Sequence, residues 1–278
     1  NEAVVTYLME SIRQWIREYD IDGLRLDVAY CLDQNFIRRL RNESEKWKND
    51  FFLVGEMIGG DYGKICGDGL CHSATNYECY KGLYSSFNSM NMFEIMHSLL
   101  RQFGPENWTL YRGKHLWSFA DNHDVSRVAS LLQNPRHLKL LYTVLFGMPG
   151  IPSIYYGSEW GTKAEKSQGD QALRPCFDKP EWNDLTDYLT KLSFARKSSP
   201  AMQYGEFKSL VLTNRQCIFE RETANDRVMI ALNADEKNYH ADFDARAGRA
   251  QDLITKKTID FGGGLDIPAC TAYILQPF

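Results

Sequence analysis

The sequence contains no run of about 20 apolar residues, the length that a membrane-spanning helix needs. It also has no basic run: 32 Lys+Arg stand against 36 Asp+Glu, a net charge of −4. Such a chain carries no electrostatic footprint for nucleic acid, so neither a nucleic-acid nor a membrane partner is expected. Its seven cysteines (Cys31, Cys66, Cys71, Cys79, Cys176, Cys217 and Cys270) include no C-x2-C pair. The odd number leaves at least one thiol free within a monomer. The scatter fits a reducing, cytoplasmic compartment better than a disulfide framework. Cys66, Cys71 and Cys79, with His72 beside them, lack the paired spacing of a structural zinc site. Ordinary loop thiols are the simpler reading, and no metal site is expected. No Gly-rich phosphate fingerprint follows any apolar run, and no internal repeat or low-complexity segment occurs.

The chain does have the composition of a folded protein. Apolar residues make up 44% and charged residues 24% of 278, which excludes a disordered, collagen-like or disulfide-dense chain. The length suffices for one large domain or two ordinary ones. Val4, Val5, Leu8, Ile12, Trp15, Ile16 and Tyr19 recur at helical spacing. Asp22-Gly23 breaks that pattern, and Leu24-Arg25-Leu26-Asp27-Val28 reads as a short strand. A helix over about 34–48 follows. The apolar run Phe51–Val54, ending in Gly55-Glu56, suits a parallel strand buried on both faces. Further helices are expected over about 91–103, 136–147 and 184–197, and strands over about 115–120 and 150–157. Strands alternating with helices indicate a parallel α/β sheet, either a (β/α)8 barrel or an open sheet.

After about residue 203 the texture changes. Phe207–Leu212, Cys217–Arg221, Val228–Asn233 and Ala272–Leu275 are short runs between turn residues, the pattern of a small antiparallel β domain, read as a sandwich. The expected division is therefore an α/β part over 1–200 and an all-β part over 203–278.

Three carboxylates stand at expected strand ends. Asp27 lies two residues from Arg25, so both side chains face the same side of the strand. A guanidinium there favours an ionised carboxylate, as a nucleophile requires, although the same residues also read as a plain ion pair. Glu56 emerges from an apolar run, where partial desolvation favours the proton-carrying form and a general acid. A water-exposed loop carboxylate is the alternative. Asn122-His123-Asp124 follows the third strand and reads by itself as a turn. Together, such carboxylates suit glycoside hydrolysis, in which one acts as nucleophile or base and another as acid. Tyr30, Tyr77, Trp117, Tyr155, Tyr156 and Trp160 are candidate sugar platforms, with core packing as the alternative.

Asp22–Ala29, Val54-Gly55-Glu56, Phe119–Asp124 and Gly150–Glu159 resemble, in order, signature segments of the α-amylase family of glycoside hydrolases. The resemblance covers about residues 1–200. Asn76-Tyr77 and Leu173-Arg174-Pro175 are similar to the neopullulanase, cyclomaltodextrinase and maltogenic amylase group. The resemblance implies a retaining α-glucan hydrolase with Asp27 as nucleophile, Glu56 as acid/base and Asp124 as transition-state stabiliser. It implies substrate-binding roles for Arg25, which would also hold Asp27, and for His123, Asn122 and Tyr77. It implies a pair of carboxyl groups about 5–5.5 Å apart. The implied fold is α/β: a partial (β/α)8 TIM barrel, strands 4–8 with their helices, then a small antiparallel β-sandwich.

The family's first signature segment is absent, and five strands cannot close an eight-stranded barrel. The chain is therefore expected to be the C-terminal part of a longer protein. Its partners would be an α-glucan oligosaccharide and the missing N-terminal barrel half, strands 1–3, present as an absent segment or a separate chain. The family needs no cofactor here; a structural calcium belongs, if anywhere, to the full-length protein. Two rival readings stand beside this one. One is a non-catalytic amylase-like binding subunit. The other is a metal-dependent barrel hydrolase using Asp27, Glu56, His123 and Asp124, which lacks the expected cluster of histidines.

Overall fold

The computed structural model describes all residues, Asn1–Phe278. They form two compact units, residues 1–77 with 114–117 and residues 78–113 with 118–278. The first unit holds α1 (Glu2–Tyr19), β1 (Gly23–Leu26), α2 (Gln34–Trp47), β2 (Phe52–Gly55) and β3 (Ser73–Ala74). Both helices start at side-chain caps: Asn1 accepts from the Ala3 N–H and Asp33 from the Phe36 N–H, each at 3.0 Å. Helix α1 buries Met9, Ile12 and Ile16. Val4, Leu8 and Trp15 of the same expected apolar set are exposed.

Strands β1, β2 and β3 pair in parallel in that order, and Thr75 extends the pairing to Trp117 by a parallel bridge. The close approach of β1 to β2 needs glycine at Gly23, where a Cβ would lie 2.2 Å from the Phe52 carbonyl oxygen. Leu53 is fully buried and Val54 nearly so, as expected of a strand covered on both faces.

His72, just before β3, extends the pairing with β2, its N–H donating to Leu53 O at 2.9 Å. Its Nδ1 accepts the Leu53 N–H at 2.9 Å, which requires the neutral ring. Burial, with the Arg41 charge second, holds the His72 imidazole below its ordinary 6.5. At this ring the unfolded chain therefore binds more protons than the folded one just below pH 6.5, so the contribution of His72 to stability falls as pH drops from 7.5 to 5.5. Urea denaturation at pH 7.5 and at pH 5.5 should show this loss. The loss should shrink in His72→Gln and persist in part through His137, which burial lowers in the same way.

The chain continues through α3 (Tyr77–Asn88), α4 (Phe93–Phe103), β4 (Trp117–Phe119), α5 (Val128–Leu131), α6 (His137–Gly147), β5 (Ile151–Ser153), α7 (Asp170–Leu173), α8 (Asp184–Ser198) and α9 (Pro200–Tyr204). Strand β4 pairs with β5. Strand β5 is shorter than the run 150–157 suggested, because the chain leaves regular pairing at 154–155 and turns at 156–157. Helix α3 has no counterpart among the expected elements.

The remainder is β6 (Glu206–Leu212), β7 (Gln216–Glu222), β8 (Arg227–Asn233), β9 (Tyr239–Ala241), β10 (Arg249–Asp252), β11 (Thr258–Asp260), β12 (Leu265–Ile267) and β13 (Thr271–Pro277). Six strands form an antiparallel sheet in the order β11-β10-β13-β8-β7-β6, and β9 pairs with β12 as a separate ribbon. Sheet residues Ile218, Met229, Ala231 and Leu275 share one buried cluster with ribbon residues Ala241, Leu265 and Ile267. One large sheet and a ribbon, rather than two matched sheets, enclose this core.

Helix α6 packs on the sheet's other face, against β8 and β13. Two guanidiniums meet the carbonyl end of this helix. Arg221 of β7 donates to Gly147 O (2.9 Å), Met202 O (3.1 Å) and, through Nε and Nη2, Gly205 O. Arg196 of α8 donates to Phe146 O (2.6 Å) and Gly150 O (2.5 Å). The last carbonyls of a helix have no partner within it and carry partial negative charge, so cations satisfy them doubly.

Candidate active site

The parallel register sets Arg25 beside Val54 and Leu26 beside Gly55, so Asp27 and Glu56 are the next residues past the C-terminal strand ends. The Glu56 N–H still donates to Leu26 O (2.8 Å), and the Ala29 N–H to Glu56 O (3.0 Å). Between them the chain turns sharply. Val28 adopts the left-handed region, φ 46°, ψ 44°. That conformation disfavours a β-branched residue and marks stored strain. The turn aims the Val28 N–H at Glu56 Oε2, 3.0 Å away. Gly55 lets this corner pack: a Cβ there would meet Ile65 Cγ2 at 2.4 Å and Ala29 Cβ at 3.0 Å. Thr75 fixes the chain just beyond, its hydroxyl accepting the Met57 N–H at 2.8 Å.

Arg25 joins the two carboxylates. One guanidinium nitrogen lies 2.5 Å from Asp27 Oδ1 and another 2.7 Å from Glu56 Oε1. Glu56 is nearly fully buried, with 7% of its side chain exposed, whereas Asp27 is 72% exposed. Glu56 is thus removed from water, as its apolar approach implies. Its immediate neighbours are polar rather than apolar: a cation and a backbone N–H. The fork of a single guanidinium holds both acids within reach of one another.

The second unit carries the Asn122-His123-Asp124 segment. Just before it, Asp121 is buried and accepts the Val128 N–H (2.8 Å) and the Ser158 hydroxyl (2.8 and 2.9 Å). Burial pushes the Asp121 carboxyl up, against those hydrogen bonds. The Asn122 side chain accepts the Asp124 N–H at 2.8 Å, so it builds the turn. Asp124 meets His123 Nε2 at 2.9 Å and Arg174 Nη2 at 2.9 Å. Arg127, fully buried, donates to Tyr156 O (2.6 Å), Ser158 Oγ (3.0 Å) and Leu173 O (2.8 Å). Its guanidinium also lies 4.0 Å from the centre of the Tyr155 ring. Burial pushes the Tyr155 phenol up to about 12. Tyr155, Tyr156, Phe177 and Trp160 form a chain of edge-to-face rings.

Of the expected site residues, Arg25, Asp27 and Glu56 are brought together in the first unit, and Asn122, His123 and Asp124 in the second. Tyr77 starts α3. Sequence reasoning did not single out Asp121, Arg127 and Ser158. Arg127 had a signal, a lone charge in the run after Asp124, but nothing local shows what it reaches. Arg174 was noted only as part of a group resemblance, and the structure sets it on Asp124. Cys66, Cys71 and Cys79 are buried and form no disulfide, and no cluster of His, Cys, Asp and Glu is arranged to hold a metal ion.

Comparison with known proteins gives the family. The model of the α-amylase catalytic domain matches residues 1–186. Cyclomaltodextrinase of Thermoanaerobacter pseudethanolicus is 26% identical over 289 residues, covering 99% of this chain and 48% of its own length. The intracellular maltogenic amylase of Bacillus subtilis is 30% identical over 206 residues, 71% of this chain and 34% of its own. An Anoxybacillus α-amylase crystal structure superposes with a TM-score of 0.83 at 28% identity, covering all of this chain and 64% of that one. The chain spans about half the length of the curated relatives it matches. With the family model matched over more than half its residues, this chain belongs to the α-amylase family of glycoside hydrolases.

Proposed function

We propose that this chain carries the catalytic carboxylates of a retaining α-glucan hydrolase acting on cyclodextrin- or maltodextrin-type substrates. The observation that carries the reading is the one guanidinium shared by Asp27 and Glu56. In the first step Asp27 attacks the anomeric carbon while Glu56 gives its proton to the departing glycosidic oxygen. The products are a glycosyl ester on Asp27 and a Glu56 carboxylate. In the second step Glu56 takes a proton from water, which attacks the same carbon and frees Asp27. One negative charge is thus present on the pair before and after each step, first on Asp27 and then on Glu56. Arg25 faces both positions, and the Val28 N–H faces the second, so the charge moves between groups already placed to receive it. Asp124, held by His123 and Arg174, binds sugar hydroxyls and stabilises the oxocarbenium-like charge. Tyr155 and Tyr156 are candidate platforms for sugar rings.

The five short strands β1–β5 read as part of a (β/α)8 barrel that the N-terminal segment of a longer protein completes. The exposed Val4, Leu8 and Trp15 of α1, and β1 at the edge of its sheet, support this. The test is hydrolysis of β-cyclodextrin and maltodextrin by the intact protein, with the first-formed anomer read by proton NMR. Release of the α-anomer is expected. Release of the β-anomer first would overturn the retaining mechanism. A folded protein inactive on every α-glucan would replace the hydrolase reading with that of a non-catalytic binding subunit.

A further inference from the structure

We infer that Thr75 is a positioning residue for the acid/base: gripping the backbone on both sides of Glu56, it sets where the Glu56 carboxyl sits against Arg25 and the Val28 N–H. The inference rests on the α-glucan hydrolase reading above for the chemical role of Glu56, though not for where that side chain is held.

Glu56 lies where the β2–β3 ladder ends. The last register pair is Gly55 with Ala74, and Thr75 comes next. The Thr75 N–H donates to Gly55 O at 3.1 Å. Its hydroxyl accepts the Met57 N–H at 2.8 Å and donates to Met57 O at 3.1 Å. Met57 and Thr75 are both buried, so these backbone groups need a partner within the protein. A hydroxyl serves both, because it carries one donor hydrogen and free acceptor lone pairs. One side chain thus continues the pairing of β2 for one residue past Glu56.

Thr75 is itself anchored. It bridges to Trp117 in parallel, and the Asn76 N–H donates to Trp117 O at 2.8 Å. From the other side β1 holds Glu56 directly: the Glu56 N–H donates to Leu26 O, and Glu56 O accepts the Ala29 N–H. Residues 55–57 are therefore clamped in the middle by β1 and its turn, and at both flanks by Thr75.

The clamp decides what the carboxyl can reach. Both of its partners, Arg25 at 2.7 Å and the Val28 N–H at 3.0 Å, belong to β1 and the turn after it. The side chain meets both only from one backbone orientation. With the hydroxyl gone, the Met57 N–H and carbonyl seek other partners, and the peptide joining residues 56 and 57 turns. A shift of about 1 Å takes a hydrogen bond out of range, and at a reacting group it costs up to about 100-fold in rate.

The experiment uses the intact protein. Thr75→Val keeps the side-chain shape and removes both hydroxyl contacts, whereas Thr75→Ser keeps the hydroxyl and removes only the methyl. Thr75→Val should lower kcat on maltoheptaose about 30-fold with KM changed less than about twofold, and Thr75→Ser should stay within about threefold of the native rate. A second readout needs no turnover. Hydrogen exchange at the Val28 N–H, followed by mass spectrometry of a peptide spanning 27–32, should quicken about tenfold in Thr75→Val and not in Thr75→Ser. A hydroxyl with only a structural role would lower the thermal midpoint and leave Val28 exchange as it is. Unchanged Val28 exchange in folded Thr75→Val, or a kcat loss as large in Thr75→Ser, overturns the inference. Should Thr75→Val not fold, Thr75→Ala takes its place under the same two criteria. If the native protein hydrolyses no α-glucan while Val28 exchange still follows the hydroxyl, the clamp stands and the hydrolase reading falls. Native hydrolysis with unchanged Val28 exchange in the variant does the reverse.

Discussion

Glu56→Gln should lower kcat by about 1,000-fold or more, with KM nearly unchanged. The substitution keeps the shape of the side chain and removes its proton-transfer ability, which serves both steps. The lost interaction belongs to the transition state, so kcat and kcat/KM fall together. The structure adds a stability term. Glu56 accepts from Arg25 through Oε1 and from the Val28 N–H through Oε2. An amide has one oxygen, so one of these donors then faces an NH2 group. Both donors are partly exposed, so losing one of these hydrogen bonds costs about 0.5–1.5 kcal/mol, which urea denaturation would show beside the kinetics. A raised KM with unchanged kcat would reduce Glu56 to a binding residue and remove the proposed mechanism.

Arg127→Met should destabilise the protein by about 3–5 kcal/mol, a large part of the stability of an ordinary domain. Its guanidinium is wholly buried and donates to Tyr156 O, Ser158 Oγ and Leu173 O. Methionine fills the volume and supplies no donor. It also removes the positive charge near the buried Asp121 carboxyl. Arg127→Lys should recover little, because a single ammonium cannot reach acceptors that a planar fork spans. The loss should extend to the loop chemistry. Leu173, whose carbonyl Arg127 holds, is followed by Arg174, the partner of Asp124. At temperatures where Arg127→Lys remains folded, kcat should fall more than KM rises. A stability loss below about 1 kcal/mol in Arg127→Met would show that the three carbonyl and hydroxyl contacts carry little weight.

The strand-end acids were legible because their signal is local. A glycine break, alternating apolar residues and Arg25 two places before Asp27 fix β1 and its facing side chains. A four-residue apolar run ending in Gly55-Glu56 fixes β2. What these segments do not reveal is pairing. That Arg25 also reaches Glu56 follows from the β1–β2 register, a contact across 31 positions that no local pattern encodes. Helix α3 went unread because its buried residues, Cys79, Gly82, Leu83, Ser86 and Phe87, include two small polar or glycine positions that blur the apolar stripe. Strands β9 to β12, three or four residues each, are too short to show a period of two. The polar surroundings of Glu56 were illegible for the same reason as the pairing. One of its partners, the Val28 N–H, points there only because the backbone bends into a conformation that valine disfavours.

The two arginines at the end of α6 bear on how the C-terminal sheet relates to the rest of its unit. Arg221 belongs to β7, yet the oxygens it satisfies lie at Gly147, Met202 and Gly205. Stripping away the strands would take Arg221 from the Gly147 carbonyl of a helix wholly upstream of them, leaving only Arg196 of α8 on Phe146 O and Gly150 O. The sheet therefore cannot be treated as an interchangeable appendage: recombination that exchanges it between homologues must carry over a cation at the Arg221 position, or the last carbonyl of the helix ahead of β5 loses its donor.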